Sequence, residues 1–113
     1  MDHAPTLDLS KPIAGYFAAE AFPGSTNGSG WFAPGAEVHD EGRTHKGVDA
    51  IRTWQAEAKA KTAYVVEPLT VTQVGARTLV SARVTGSFPG SPVILDYAFT
   101  LANDRIVDLD IRP

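Results

Sequence analysis

The second half of the chain constrains the fold most. Between residues 78 and 88, Val80, Ala82, Val84 and Phe88 alternate with Ser81, Arg83, Thr85 and Ser87. This is the period-two pattern of a strand buried on one face and wet on the other. A tight "GAR" connection separates that run from an earlier one at 63–74, "PGSP" separates it from a later one at 93–101, and "AND" leads into a last, short one at 105–111. Turn residues at such intervals predict consecutive antiparallel strands. In the 93–101 run the apolar set is Val93, Leu95, Tyr97, Phe99 and Leu101, whereas the opposite set, Ile94, Asp96, Ala98 and Thr100, is only partly polar. A second face of that kind predicts cover by another copy of the chain, hence a homodimer.

The first half reads differently. Ser10 followed by "KPIAGYFAAEAF" has a hydroxyl N-cap, a proline in the first turn, and Leu9, Ile13, Tyr16, Phe17 and Glu20 at helical spacing. "PGSTNGSG" then opposes any regular element. "FAPGAEVHD" turns into a short strand with Ala36, Val38 and Asp40 on one side and Glu37 and His39 on the other. After the connection "EGRTHKG", a second helix is predicted over about 48–61, with Ile51, Trp54 and Ala58 on one stripe and Arg52, Glu57, Lys59 and Lys61 polar. Helix, strand, helix and meander make an α+β fold: a curved antiparallel sheet wrapped over N-terminal helices. Such a sheet leaves a cone whose wide end is a natural ligand cavity. The 113 residues suffice for one core, so we expect a single domain over 1–113, with 1–9 a flexible N-terminus.

Several functions are disfavoured. The net charge is -3 with no run of Lys or Arg, so the footprint of a nucleic-acid binder is missing. The absence of cysteine excludes disulfides and thiol chemistry and fits a cytoplasmic protein. No apolar stretch approaches the roughly 18 residues of a membrane span, and "MDHAPTLDL" lacks the features of a signal peptide. His39 and His45 invite a metal with Asp40 or Glu41, but neighbours in a strand point to opposite faces, so His39 and Asp40 do not grip the same ion, and no third ligand stands at helical or hairpin spacing. No metal is therefore expected. His45 reads as a loop histidine or a second acid/base at the mouth. Phe17, Trp31, Trp54, Phe88, Tyr97 and Phe99 are the aromatic residues placed to line or floor the cavity, where a hydrophobic small molecule would bind.

The phrases "PIAGYFAAE", "WFAPGAEVHDEGRTHKGVDAI" and "SFPGSPVILDYAFTL", in this order of elements, resemble the SnoaL-like branch of the nuclear transport factor 2-like superfamily. Ketosteroid isomerases, scytalone dehydratase and polyketide cyclases belong to the same superfamily. The resemblance implies a cone-shaped, cystatin-like α+β barrel, and it spans roughly residues 10 to 111 of the sequence. One fold hosts many reactions, so it implies no single activity. Members usually carry a helix just before the "FAPDA" phrase, where this chain reads "FPGSTNGSGW"; either a loop replaces that helix or the segment has been altered by engineering.

By that resemblance Asp40 matches the isomerases' proton-shuttling base and Tyr16 the tyrosine that stabilises an enolate oxygen. Each has a plain structural reading as well. Asp40 fits a turn acid that caps the loop or pairs with Arg43, and Tyr16 fits a core aromatic. Aligning the "YAFTL" phrase on its aromatic residues matches Leu95 to the isomerases' third residue, an aspartic acid, and alternation sends Asp96 to the other face, which leaves Asp96 as a residual candidate. The implied activity is cofactor-free proton transfer on a hydrophobic carbonyl compound, as in an isomerase or cyclase; the alternative is a non-catalytic ligand-binding or dimerisation domain.

Overall fold

The computed structural model describes residues 9–21, 30–61 and 64–113. Residues 1–8 of the expected flexible N-terminus, and most of the glycine- and serine-rich segment, lie outside them. Leu9 packs against the core. Helix α1 (Lys11–Ala21) starts where the backbone predicts, with the Ala14 N–H donating to the Ser10 carbonyl at 2.8 Å and Pro12 in the first turn, where no donor is needed.

Strand β1 (Phe32–Asp40) is followed directly by β2 (Arg43–Lys46), a strand the sequence does not announce because "RTHK" has no apolar face. The turn makes it. Asp40 pairs with Arg43, and Glu41 and Gly42 between them have φ of 54° and 76°, the left-handed pair of a type I′ hairpin. Gly42 adopts this at no steric cost; Glu41 is there because the hairpin requires it. Beyond β2 the Gly47 N–H donates to the Ala36 carbonyl at 2.8 Å and the Gly47 carbonyl accepts from Ile51 at 3.0 Å, launching α2 (Val48–Lys61).

The meander follows as β3 (Tyr64–Val74), β4 (Arg77–Gly86), β5 (Val93–Ala102) and β6 (Arg105–Arg112). Strand β4 ends two residues short of Phe88, since the Gly86 N–H turns to the Ser91 hydroxyl at 2.9 Å instead of a neighbouring strand. The order in the six-stranded sheet is β2-β1-β6-β5-β4-β3. All neighbours are antiparallel except β1 and β6, which run parallel. Register shifts between Pro68 and Thr70 in β3 and between Thr100 and Leu101 in β5 interrupt the ladder, and bulges of this kind bend and twist strands. The sheet is curved and unclosed, with α1 against β3 and β6 and α2 against β1 and β2.

Alternation decides the two faces as expected. Val80, Ala82, Tyr97, Phe99, Leu109 and Val38 point inward and are buried. Ser81 and Arg83 of β4 point outward to Asp96 and Glu67. The narrow end of the cone is filled by a ring cluster in which Tyr16 meets Phe17, Phe32 and Phe99 edge-on, with centroids 5.2, 6.1 and 5.5 Å apart. Edge-to-face packing of this kind contributes about 0.5–1.5 kcal/mol per pair beyond simple burial. The other end is left open.

Candidate functional site

The cavity lies at the wide end, between the inward residues of β4, β5 and β6 and the facing side of α2. Its volume is about 530 Å³, within the range of small-molecule sites. Val84, Phe88, Val93, Leu95 and Ile111 give it apolar walls; polar groups come from Asp40, Glu41, Gln55, Arg112 and from Tyr16, Tyr64 and Tyr97.

Asp40 reaches this cavity because it is the last residue of β1 on the face of Val38, so the alternation that buries Val38 turns Asp40 toward the open end. It is half-buried, and its Oδ2 accepts a hydrogen bond from the Trp54 indole N–H at 3.1 Å. Burial pushes the Asp40 carboxyl above the usual aspartate range, because removing water disfavours the charged form. The Glu41 carboxylate adds to the rise, while the Trp54 N–H, the His45 ring and the Glu41 backbone N–H oppose it without cancelling it. Among the described residues no ion pair joins Asp40 to Arg43, whereas the Glu41 backbone N–H does bond to the carboxylate, as it would to an acid that caps the turn.

Tyr16 is 1% exposed and lines the cavity floor beside Tyr97, with ring centroids 6.2 Å apart. Trp54, Phe88 and Tyr97 also line the cavity. Phe17, Trp31 and Phe99 are not among its lining residues. Phe17 and Phe99 sit in the ring cluster behind it, 4% and 0% exposed. The Trp31 indole instead lies over Gly15 of α1, so close that a Cβ there would overlap it. Periodicity tells which face these rings occupy but not how deep in the cone they stand.

Sequence reasoning misses Gln55. It lines the cavity next to Trp54, and a stripe read from apolar residues alone is too narrow to include it. Asp96 points outward, where its Oδ1 accepts from the Ser81 hydroxyl at 2.8 Å, and Leu95 takes the inward place as alternation requires. On the outer face His39 Nε2 is 2.9 Å from Asp108 Oδ1 and 3.6 Å from Glu37, and His39 Nδ1 is 3.1 Å from the Thr44 hydroxyl. The acids near His39 are thus Glu37 and Asp108, not Asp40 or Glu41. His45 belongs elsewhere: its ring stacks on Trp54, centroids 5.7 Å apart and 29° from parallel.

Fold and cavity together define a class, the conical α+β proteins that hold a small-molecule pocket between sheet and helices. The comparisons narrow it. A candidate polyketide cyclase from Sinorhizobium meliloti (protein SMa1630) is 46% identical, with a TM-score of 0.88 over 93% of this chain and 96% of that one. A protein of ketosteroid isomerase-like fold from Catenulispora acidiphila DSM 44928, in complex with trimethylamine, is 17% identical with a TM-score of 0.81 over 96% of this chain and 87% of that one. A candidate SnoaL-like polyketide cyclase from Jannaschia sp. CCS1 is 20% identical, with a TM-score of 0.76 over 98% and 89% of the two chains. The last two show likeness of fold alone. No family model and no curated protein matches the sequence. The chain belongs to the SnoaL-like, nuclear transport factor 2-like superfamily. No described helix is long and apolar enough to cross a membrane.

Proposed function

We propose that the wide-end cavity binds a hydrophobic carbonyl compound and that Asp40 acts in it as general base, in an isomerase- or cyclase-like proton transfer without a cofactor. The observation that carries this reading is a carboxylate made more basic by burial at the polar end of an apolar cavity. A base of raised pKa abstracts a proton beside a ketone and still returns it, which an ordinary surface aspartate does poorly at neutral pH. Tyr16 is the donor to the developing enolate oxygen; charge forming there in a water-poor site is stabilised more than in bulk solvent.

The test is exchange of the protons beside the carbonyl of a flat ketone, a steroid enone, followed by NMR in deuterated buffer. Wild type should exchange them faster than buffer, and Asp40→Asn should lose about 10²- to 10⁴-fold of that rate. Equal rates for wild type and Asp40→Asn would end the base reading. A second reading, a non-catalytic binding domain, is favoured by the Trp54 hydrogen bond, which gives Asp40 a structural partner; it expects the ketone to bind with no exchange.

We also propose a cytoplasmic homodimer through the outer sheet face. Of the outward set of β5, Ile94 is 49% exposed and Ala98 only 8%, so the apolar surface rests on Ile94 together with Val65 of β3, which is 46% exposed. Sedimentation should give a dimer for wild type and a monomer for Ile94→Glu; a monomeric wild type would remove the proposal.

A further inference from the structure

Trp54 is one of the residues that line the cavity. Its polar atom has a separate use. The indole is rigid, has a single donor and no acceptor, and that donor points at one oxygen of Asp40 from the adjacent helix, at 3.1 Å. The ring face is occupied too, because His45 of β2 stacks on it. Asp40, Trp54 and His45 come from β1, α2 and β2, and the type I′ hairpin and the Gly47 junction set these three elements against one another. An indole clamped on one face and hydrogen-bonded at its edge has little rotational freedom left. A carboxylate held through one oxygen by such a group has its own rotation fixed as well.

We propose that Trp54 is the positioning residue of Asp40: its N–H, held in place by the stack on His45, fixes the orientation in which the carboxylate faces the cavity. This deepens the base reading given above and rests on it for its catalytic meaning, but the physical claim concerns Asp40 and Trp54 alone. A hydrogen bond from an uncharged donor to a carboxylate is stronger when the acceptor is ionised, so the two groups must report on each other as Asp40 titrates. Other charges also act on the carboxylate, Glu41 from the turn and His45 from β2, and Arg112 of β6, bonded to Asp110, lines the same cavity, while the described cavity-lining side chains of α2, Trp54, Gln55 and Ala58, are neutral. A control without the Asp40 charge is therefore needed.

The experiment needs no substrate. The carboxyl carbon of Asp40 and the Nε1–H of Trp54 are followed by NMR against pH in the wild-type chain, with Asp40→Asn as the control. The indole resonance should move with the same midpoint as the Asp40 carboxyl, and that movement should vanish in Asp40→Asn. In Trp54→Phe, which keeps a ring but loses the donor, the Asp40 midpoint should rise by about half to one pH unit. An indole resonance that ignores the Asp40 titration overturns the proposal, and so does a folded Trp54→Phe with an unmoved midpoint. Should Trp54→Phe fail to fold, the wild-type indole titration decides alone. If both signals respond while wild type exchanges no ketone protons, the base reading fails and the positioning contact stands. If exchange occurs without any coupling, the proposal fails and the base reading survives.

Discussion

Gly15 offers a test in which the structure reverses the sign that helix propensity gives. Replacing a mid-helix glycine by alanine ordinarily stabilises by about 1 kcal/mol. Here an added Cβ would overlap Nε1 and Cε2 of Trp31 and lie 2.7 Å from its Cδ1, where ordinary contacts exceed about 3.4 Å. The clash is relieved by lifting the indole off α1. A fully buried indole removes about 150–250 Å² from water, worth about 4–6 kcal/mol at about 25 cal/mol per Å². Trp31 is only half-buried, so about half of that is at stake, roughly 2–3 kcal/mol. Subtracting the helix gain leaves Gly15→Ala less stable by about 1–2 kcal/mol. Urea unfolding followed by far-ultraviolet circular dichroism measures this directly. The decisive comparison is the same substitution in a Trp31→Ala chain, where the obstacle is gone and Gly15→Ala should now stabilise by about 1 kcal/mol. A stabilising Gly15→Ala in the otherwise wild-type chain, or the same cost in both backgrounds, would refute the placement of Trp31 over α1 and return it to the list of possible cavity walls.

Other outcomes follow from burial and charge. Because burial raises the Asp40 pKa in the folded state, its contribution to stability is complete below the unfolded-state value of about 3.9 and is lost as pH rises through the folded value. Asp40→Asn should thus gain on wild type between about pH 4 and neutrality; a difference in urea midpoint that stays constant over that range would contradict the desolvation. The two phenylalanines of the 88–99 region should separate function from stability. Phe99→Ala, at a fully buried site, should cost about 3–5 kcal/mol of folding free energy. Phe88→Ala, half-buried on the cavity wall, should weaken binding of a steroid enone by about 10-fold at a much smaller cost in unfolding midpoint, and equal costs at the two positions would place Phe88 in the core.

The legible parts of this fold are those that repeat. Strands β3 to β6 and both helices announce themselves by period, and the inward set of β5, Val93 to Leu101, follows from alternation alone. Strand β2 does not, since four polar residues carry no burial signal and it exists only because Glu41 and Gly42 reverse the chain. The same limit governs the site. Period assigns Phe99 and Leu95 to one face of β5, yet Phe99 fills the packed end while Leu95 lines the open one, and four residues along a strand change a core ring into a cavity wall. Depth along the cone depends on how far the sheet curves, which the bulges in β3 and β5 help to set and which no single-strand pattern records.

The contact between Trp54 and Asp40 lies further still from the sequence, and it bears on what Asp40 can do. Fourteen residues separate the two, with a hairpin and a helix start between them, so neither strand nor helix spacing relates them. A carboxyl buried with no donor would hold its proton and be useless as a base at neutral pH. One left in water would be an ordinary aspartate, too acidic to take a proton from carbon efficiently. At Asp40 burial and Glu41 raise the pKa, while a single indole N–H, His45 and the Glu41 N–H oppose the rise. That balance needs β1 to end at the cavity, the left-handed turn to bring Glu41 and β2 around, and α2 to present Trp54 rather than another apolar residue. An aspartate at this position is therefore a weak signal by itself. On the reading proposed above, the signal that carries chemistry is the aspartate together with the hairpin that exposes it and the α2 tryptophan that hydrogen-bonds to it.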